Sequence, residues 1–105
     1  MKFLTISRMK DSFVMIPPEL QMQLVEGVSA FVDKYRKAGK LKEIYNVPGL
    51  KTTVSIWESE SAEQSTRFFI ENPIYPFMDV ETYTLSDWDN LMKAWKEAVQ
   101  RRAKK

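Results

Sequence analysis

With 105 residues, 44% apolar content and a formal net charge of +2, the chain reads as a single small domain, residues 1–105, able to build a hydrophobic core. It has no Cys and no His, which excludes disulfides, thiolate nucleophiles, zinc ribbons and imidazole bases together. The cationic excess sits in the tail Arg101-Arg102-Ala103-Lys104-Lys105, so the body is close to neutral and offers no basic face for nucleic acid; the tail reads as a solvated helix end. No apolar run approaches the roughly 20 residues that cross a bilayer. The start Met1-Lys2-Phe3-Leu4 lacks the pattern of a secretory signal, so no membrane partner and a cytoplasmic location are expected.

From Lys2 to Met9, Leu4 and Ile6 alternate with Thr5 and Ser7, the period of a strand. Pro17-Pro18-Glu19 then opens a helix, and Leu20, Leu24, Val28, Phe31, Val32 and Tyr35 recur at helical spacing until Gly39 stops it. Leu41 to Val47 and Lys51 to Trp57 are rich in β-branched and aromatic residues, and Asn46, Pro48 and Gly49 break them into a hairpin. Ser59 and Ser61 both suit the N-cap of a second helix through Ala62, Phe68 and Phe69 to Asn72, where Pro73 ends it. A fourth strand is expected from about Tyr75 to Leu85. Ser86, Asp87 and Asp89 start an added C-terminal helix over 86–102, whose stripe Trp88, Leu91, Met92, Trp95 and Val99 is too apolar to face water.

The order β-α-β-β-α-β predicts an α+β fold of ferredoxin-like topology, a four-stranded antiparallel sheet with two helices on one face. Alternation along the strands predicts Ile44, Val54, Ile56, Met78 and Val80 as the set facing the helices. That leaves Glu43, Tyr45, Thr53, Ser55, Trp57, Phe77, Asp79, Glu81 and Tyr83 on the other face. A face mixing aromatics with carboxylates and hydroxyls suits neither open solvent nor a dry core. A second subunit packing sheet against sheet around a cavity would satisfy both halves of the mixture.

The segment Asn72-Pro73-Ile74-Tyr75-Pro76-Phe77-Met78-Asp79-Val80-Glu81 resembles muconolactone isomerases, in which a Pro, an aromatic-Pro-aromatic-Met unit and an Asp-apolar-Glu strand follow in this order. Lys37-Ala38-Gly39-Lys40 resembles that family's helix end, and the likeness runs without a gap from there to Leu85. The resemblance implies a dimeric α+β barrel, often within larger rings. It also implies a proton shift in an unsaturated lactone, run without metal or organic cofactor. The family's first strand carries a His and a Glu where this chain has Leu4 and Ile6, and its first helix carries an acidic pair where this chain has Gly27-Val28. Those departures imply a different substrate, a relocated base, or no catalysis.

Proton abstraction from carbon needs a base, and the developing oxyanion needs donors. Asp79 and Glu81 fall on the family motif and alternate onto one face, and Glu43 is expected on that face of a neighbouring strand. These three carboxylates are the candidate bases, although charged residues also protect edge strands. Tyr45, Tyr83 and Ser55 are candidates to orient substrate oxygens, Trp57 to line the pocket, and Arg8, at the end of the first strand, to hold a substrate carboxylate. Three other readings fit the same residues. They are a non-catalytic binder of a small apolar ligand, a cofactor-free monooxygenase of the same fold, and a purely structural ring protein.

Overall fold

The computed structural model describes residues 1–104. Strand β1 (Lys2–Met9) leads through a short 3-10 turn at Asp11–Met15 to helix α1 (Pro18–Lys37), and β2 (Leu41–Val47) and β3 (Thr52–Glu58) form the hairpin. Helix α2 (Ala62–Ile70), a 3-10 turn at Tyr75–Phe77, β4 (Met78–Leu85) and helix α3 (Trp88–Ala103) complete the chain. The four strands make one antiparallel sheet in the order β2-β3-β1-β4, the ferredoxin-like arrangement expected from the sequence.

Local chemistry sets the boundaries. Pro18 occupies the first turn of α1, where its missing N–H is of no consequence. Gly39 ends that helix with φ +73°, a left-handed conformation in which the Gly39 and Lys40 amides return to the carbonyls of Arg36 and Tyr35. Of the two serines expected at the head of α2, Ser61 is the cap, its Oγ accepting from the Gln64 amide at 3.1 Å. Asp87 caps α3 in the same way, accepting from the Asn90 amide at 3.3 Å. The fourth strand begins at Met78 rather than Tyr75, because Asn72 folds the chain into a tight turn by accepting the Ile74 amide and a 3-10 turn follows.

The core lies between the sheet and helices α1 and α2. Phe31 and Tyr35 from α1, Leu41 from β2, Trp57 from β3 and Phe69 from α2 are buried together, with Val32, Ile44 and Phe68 packed against them. Trp57 is its centre, with ring centroids 4.8 Å from Phe69 and 5.6 Å from Tyr35 in edge-on geometry and 5.9 Å from the stacked Phe68. Phe13 and Phe77 make a smaller edge-on pair at 6.0 Å that ties the two 3-10 turns together. A Cβ at position 27 would lie 2.9 Å from the Pro73 ring, so glycine there lets α1 pass the α2–β4 connection at backbone distance.

Helix α3 does not join this core. None of its residues is buried, and the chain extends over 67 × 29 × 22 Å with a radius of gyration of 18.2 Å. A compact chain of this length has a radius of about 13 Å. The helix therefore stands away from the body, and its apolar stripe is uncovered, with Trp88 66% and Trp95 57% exposed.

The register corrects the face assignment expected for β3. Phe3, Thr5 and Ser7 pair with Trp57, Ser55 and Thr53, and all six point toward the helices. Val54 and Ile56, expected to face the helices, instead lie on the open face beside Ile6 and Leu4. Ile44, Met78 and Val80 do face the helix side. Val54 and Ile56 on one parity of β3 and Trp57 on the other each offer apolar surface to bury. The largest ring took the aromatic core offered by α1 and α2, which placed Val54 and Ile56 on the other side.

Candidate functional site on the open sheet face

The open face reads as three rows across the four strands. In the order β4, β1, β3, β2 these are Tyr83, Leu4, Ile56, Glu43, then Glu81, Ile6, Val54, Tyr45, and finally Asp79, Arg8, Thr52, Val47. Carboxylates and phenols thus occupy the two edge strands, and a half-buried aliphatic strip of Leu4, Ile6, Val54 and Ile56 runs between them. An aliphatic floor with polar groups at its margins is the composition of a small-molecule site wall.

Three of the expected site residues meet on the β4 side. Arg8 Nη1 donates to Glu81 Oε1 at 2.9 Å, and the Tyr83 hydroxyl donates to Glu81 Oε2 at 2.8 Å. Both carboxylate oxygens are therefore engaged, one of them in a charge-assisted bond. The Tyr83 hydrogen bond and then the Arg8 guanidinium hold the Glu81 carboxyl below the usual range, and the same bond to Glu81 raises Tyr83. Asp79 lies one row further along β4, is largely exposed, and approaches Lys10 Nζ at 3.8 Å.

On the opposite edge the Tyr45 hydroxyl donates to Glu43 Oε1 at 2.9 Å, which raises the Tyr45 phenol. Glu43 was expected next to the strand carrying Asp79 and Glu81, but β2 and β4 are the two outer strands. Three inter-strand spacings of roughly 4.8 Å separate them by about 14 Å. Within one subunit Glu43 and Glu81 cannot attend the same small molecule.

Ser55 and Trp57 do not reach the open face. Ser55 is 2% and Trp57 1% exposed, and Trp57 Nε1 donates to Ser55 Oγ at 2.8 Å inside the aromatic core. A buried indole N–H needs an acceptor, and Ser55 supplies it, so the pair is explained by packing on the helix side. Sequence reasoning passed over Leu4, Ile6, Val54 and Ile56 as site residues. The available signal was β3 itself, which carries Val54 and Ile56 on one parity and Trp57 on the other, so that each side offers a large apolar group, as in a strand covered on both sides. Among the described residues no group of three or more acidic side chains is placed to hold a metal ion.

An antiparallel sheet in the order β2-β3-β1-β4, with helices on one face and a hydrogen-bonded carboxylate, guanidinium and phenol on the other, defines a ferredoxin-like α+β protein. The muconolactone delta-isomerase family model matches residues 1–90, and the chain belongs to that family. It is 24% identical over 71 residues to the muconolactone delta-isomerase of Rhodococcus opacus, covering 68% of this chain and 76% of that protein. To the enzyme of the same name from Acinetobacter baylyi it is 26% identical over 73 residues, covering 70% and 76%. Among solved structures, a crystal structure of muconolactone isomerase superposes with a TM-score of 0.69 at 21% identity, over 83% of this chain and 90% of that one. A 5-chloro-2-hydroxyhydroquinone dehydrochlorinase from Burkholderia phenoliruptrix, in complex with 2,5-dihydroxybenzoquinone, superposes with a TM-score of 0.62 at 12% identity, over 86% and 98%. These two structural likenesses establish the fold, and the dehydrochlorinase shows that proteins of this fold differ in their chemistry.

Proposed function

We propose that the chain is a cofactor-independent isomerase that moves a proton within a small unsaturated lactone, in a pocket formed when the open sheet faces of two copies meet. The observation that carries this reading is the Arg8–Glu81–Tyr83 cluster bordering an aliphatic strip on the open face of a muconolactone delta-isomerase family member. The strip supplies the apolar area that a second sheet would cover, and its polar margins supply the chemistry.

In this scheme Arg8 binds a substrate carboxylate, for which a guanidinium with one nitrogen engaged has donors to spare. Glu81 takes the proton from the ring carbon, the electron pair of that C–H bond delocalises toward the lactone oxygen, and Tyr83 donates to the oxygen that gains charge. Return of the proton at the other end of the conjugated system completes the shift of the double bond, with no net oxidation or reduction. Glu81 starts as an ionised but weakened base, since two donors lower its carboxyl. Transfer of Arg8 from Glu81 to the substrate removes one donor, and closure of the pocket excludes water; both raise the basicity of Glu81 once substrate is bound. Asp79 sits beyond the aliphatic strip and Glu43 on the far edge, so both rank behind Glu81 as the base, and Tyr45 serves the opposite end of the pocket.

Proton NMR of the protein with muconolactone in deuterated water tests the reading. The expected result is a double-bond shift with deuterium incorporated at the exchangeable carbon, reduced roughly 10²–10⁴-fold by Glu81→Gln and much less by Asp79→Asn or Glu43→Gln. Absence of exchange at high protein concentration contradicts it, and retention of exchange in Glu81→Gln with loss in Asp79→Asn moves the base to Asp79.

A further inference from the structure

We propose that α3 is a self-pairing arm, whose stripe of Trp88, Leu91, Met92, Trp95 and Val99 packs antiparallel against the same stripe on a second copy of this chain. Nearly all of this helix lies beyond the family match, which ends at residue 90, so its role is separate from what residues 1–90 share with their relatives. A 16-residue helix is about 24 Å long, and an isolated helix of that length is marginal in water unless its apolar face is buried. Here the body of the same subunit does not bury it, and the side chains of Met92, Trp95, Lys96, Val99 and Gln100 frame a shallow apolar groove along the helix.

The partner and its direction follow from spacing and charge. Trp88, Met92, Trp95 and Val99 advance by steps of four, three and four, the seam of a two-helix contact, with Leu91 on its flank. The helix is also polarised, with Asp87 and Asp89 at its N-terminal end and Arg101, Arg102 and Lys104 at its C-terminal end. Two copies laid antiparallel bring each acidic end against a basic one and oppose their dipoles, whereas a parallel pair stacks like charge on like at both ends. A two-fold pair needs one surface that complements itself, and α3 does so in both apolar pattern and charge. In the antiparallel arrangement that lays one stripe over the other, Trp88 of one copy lies near Val99 of the other and Met92 near Trp95. A parallel arrangement would instead bring Val99 against its own counterpart.

The native chain contains no cysteine, so single cysteines report this geometry directly. Full-length Trp88→Cys and Val99→Cys proteins, mixed and mildly oxidised, are expected to give covalent dimers containing one of each at a yield at least tenfold above Val99→Cys alone. Adding Trp95→Asp to both should abolish the cross-link, and adding Arg101→Glu with Arg102→Glu should reduce it severalfold. Because α3 contributes no buried residue, these changes leave the body folded, which far-UV circular dichroism checks. Equal or stronger cross-linking of Val99→Cys with itself, no dimer from the mixture, or a yield indifferent to the charge reversal overturns the proposal. The sheet-face pocket is tested by lactone turnover and does not depend on this outcome.

Discussion

The two sides of the sheet have opposite characters in the sequence and opposite fates in the structure. Toward the helices, β1 sends Phe3, Thr5 and Ser7 and β3 sends Thr53, Ser55 and Trp57, and the hydroxyls are accommodated because partners or aromatic neighbours surround them. Thr5 Oγ1 lies 3.4 Å from Thr82 Oγ1, and Ser55 accepts from Trp57. Toward the open side the same strands send Leu4, Ile6, Val54 and Ile56, which are more apolar yet have no layer above them in this chain. Burial thus follows what each side can pack against. The aliphatic strip left open at the centre of the sheet is the surface that the proposed second copy would cover.

This contrast is sharpest for changes on the covered side. Trp57→Ala removes the ring on which Phe31, Tyr35, Phe68 and Phe69 converge, and it should lower stability by about 3–5 kcal/mol in urea unfolding. A loss below 1 kcal/mol would mean that the aromatic cluster is not the structural centre. Next in size is Gly27→Ala, whose added methyl meets Pro73 at 2.9 Å. Overpacking of about 1–3 kcal/mol, partly offset by a helix-propensity gain of about 1 kcal/mol, predicts a lower melting temperature.

Titration gives two smaller and opposite signatures. Burial, then the hydrogen bond to Glu71 and its charge, push the Tyr35 phenol up to about 12. A raised folded pKa contributes stability that is complete below the unfolded value of about 10 and is lost as pH rises through the folded one. Denaturation at alkaline pH should therefore show a loss between about 10 and 12 that Tyr35→Phe removes. On the open side Glu81 is depressed, so its contribution is present above the unfolded glutamate value of about 4.3 and fades as pH falls through the folded value. Exposure screens that contribution, so the site itself is the better reporter. Carbon-detected NMR should find the Glu81 midpoint below the ordinary range, and both Tyr83→Phe and Arg8→Gln should raise it. A midpoint unchanged by either substitution would contradict the cluster geometry.

The element order, the hairpin and the stop at Gly39 were legible because each rests on local chemistry, which also narrowed the caps to Ser59 or Ser61 and to the stretch from Ser86 to Asp89. So was the grouping of Asp79, Glu81 and Tyr83, since alternation along a single strand fixes which residues share a face. The side taken by β3 was not legible. Trp57 and its alternates Val54 and Ile56 could each have filled a core, and the choice depended on the aromatic residues that α1 and α2 bring from elsewhere in the chain. Ser55 and Trp57 were accordingly expected in the pocket and lie beneath it. The pairing of Arg8 with Glu81 was equally hidden, because it depends on β1 and β4 lying side by side in a particular register.

Coverage of the aliphatic strip by a second copy is the central claim, and sedimentation equilibrium tests it most directly in a chain carrying Trp95→Asp, which removes any contribution from α3. A two-chain particle is predicted, falling to a single chain when Val54→Asp is added at the centre of the strip. A mass near 12.3 kDa for the Trp95→Asp chain alone would contradict the account.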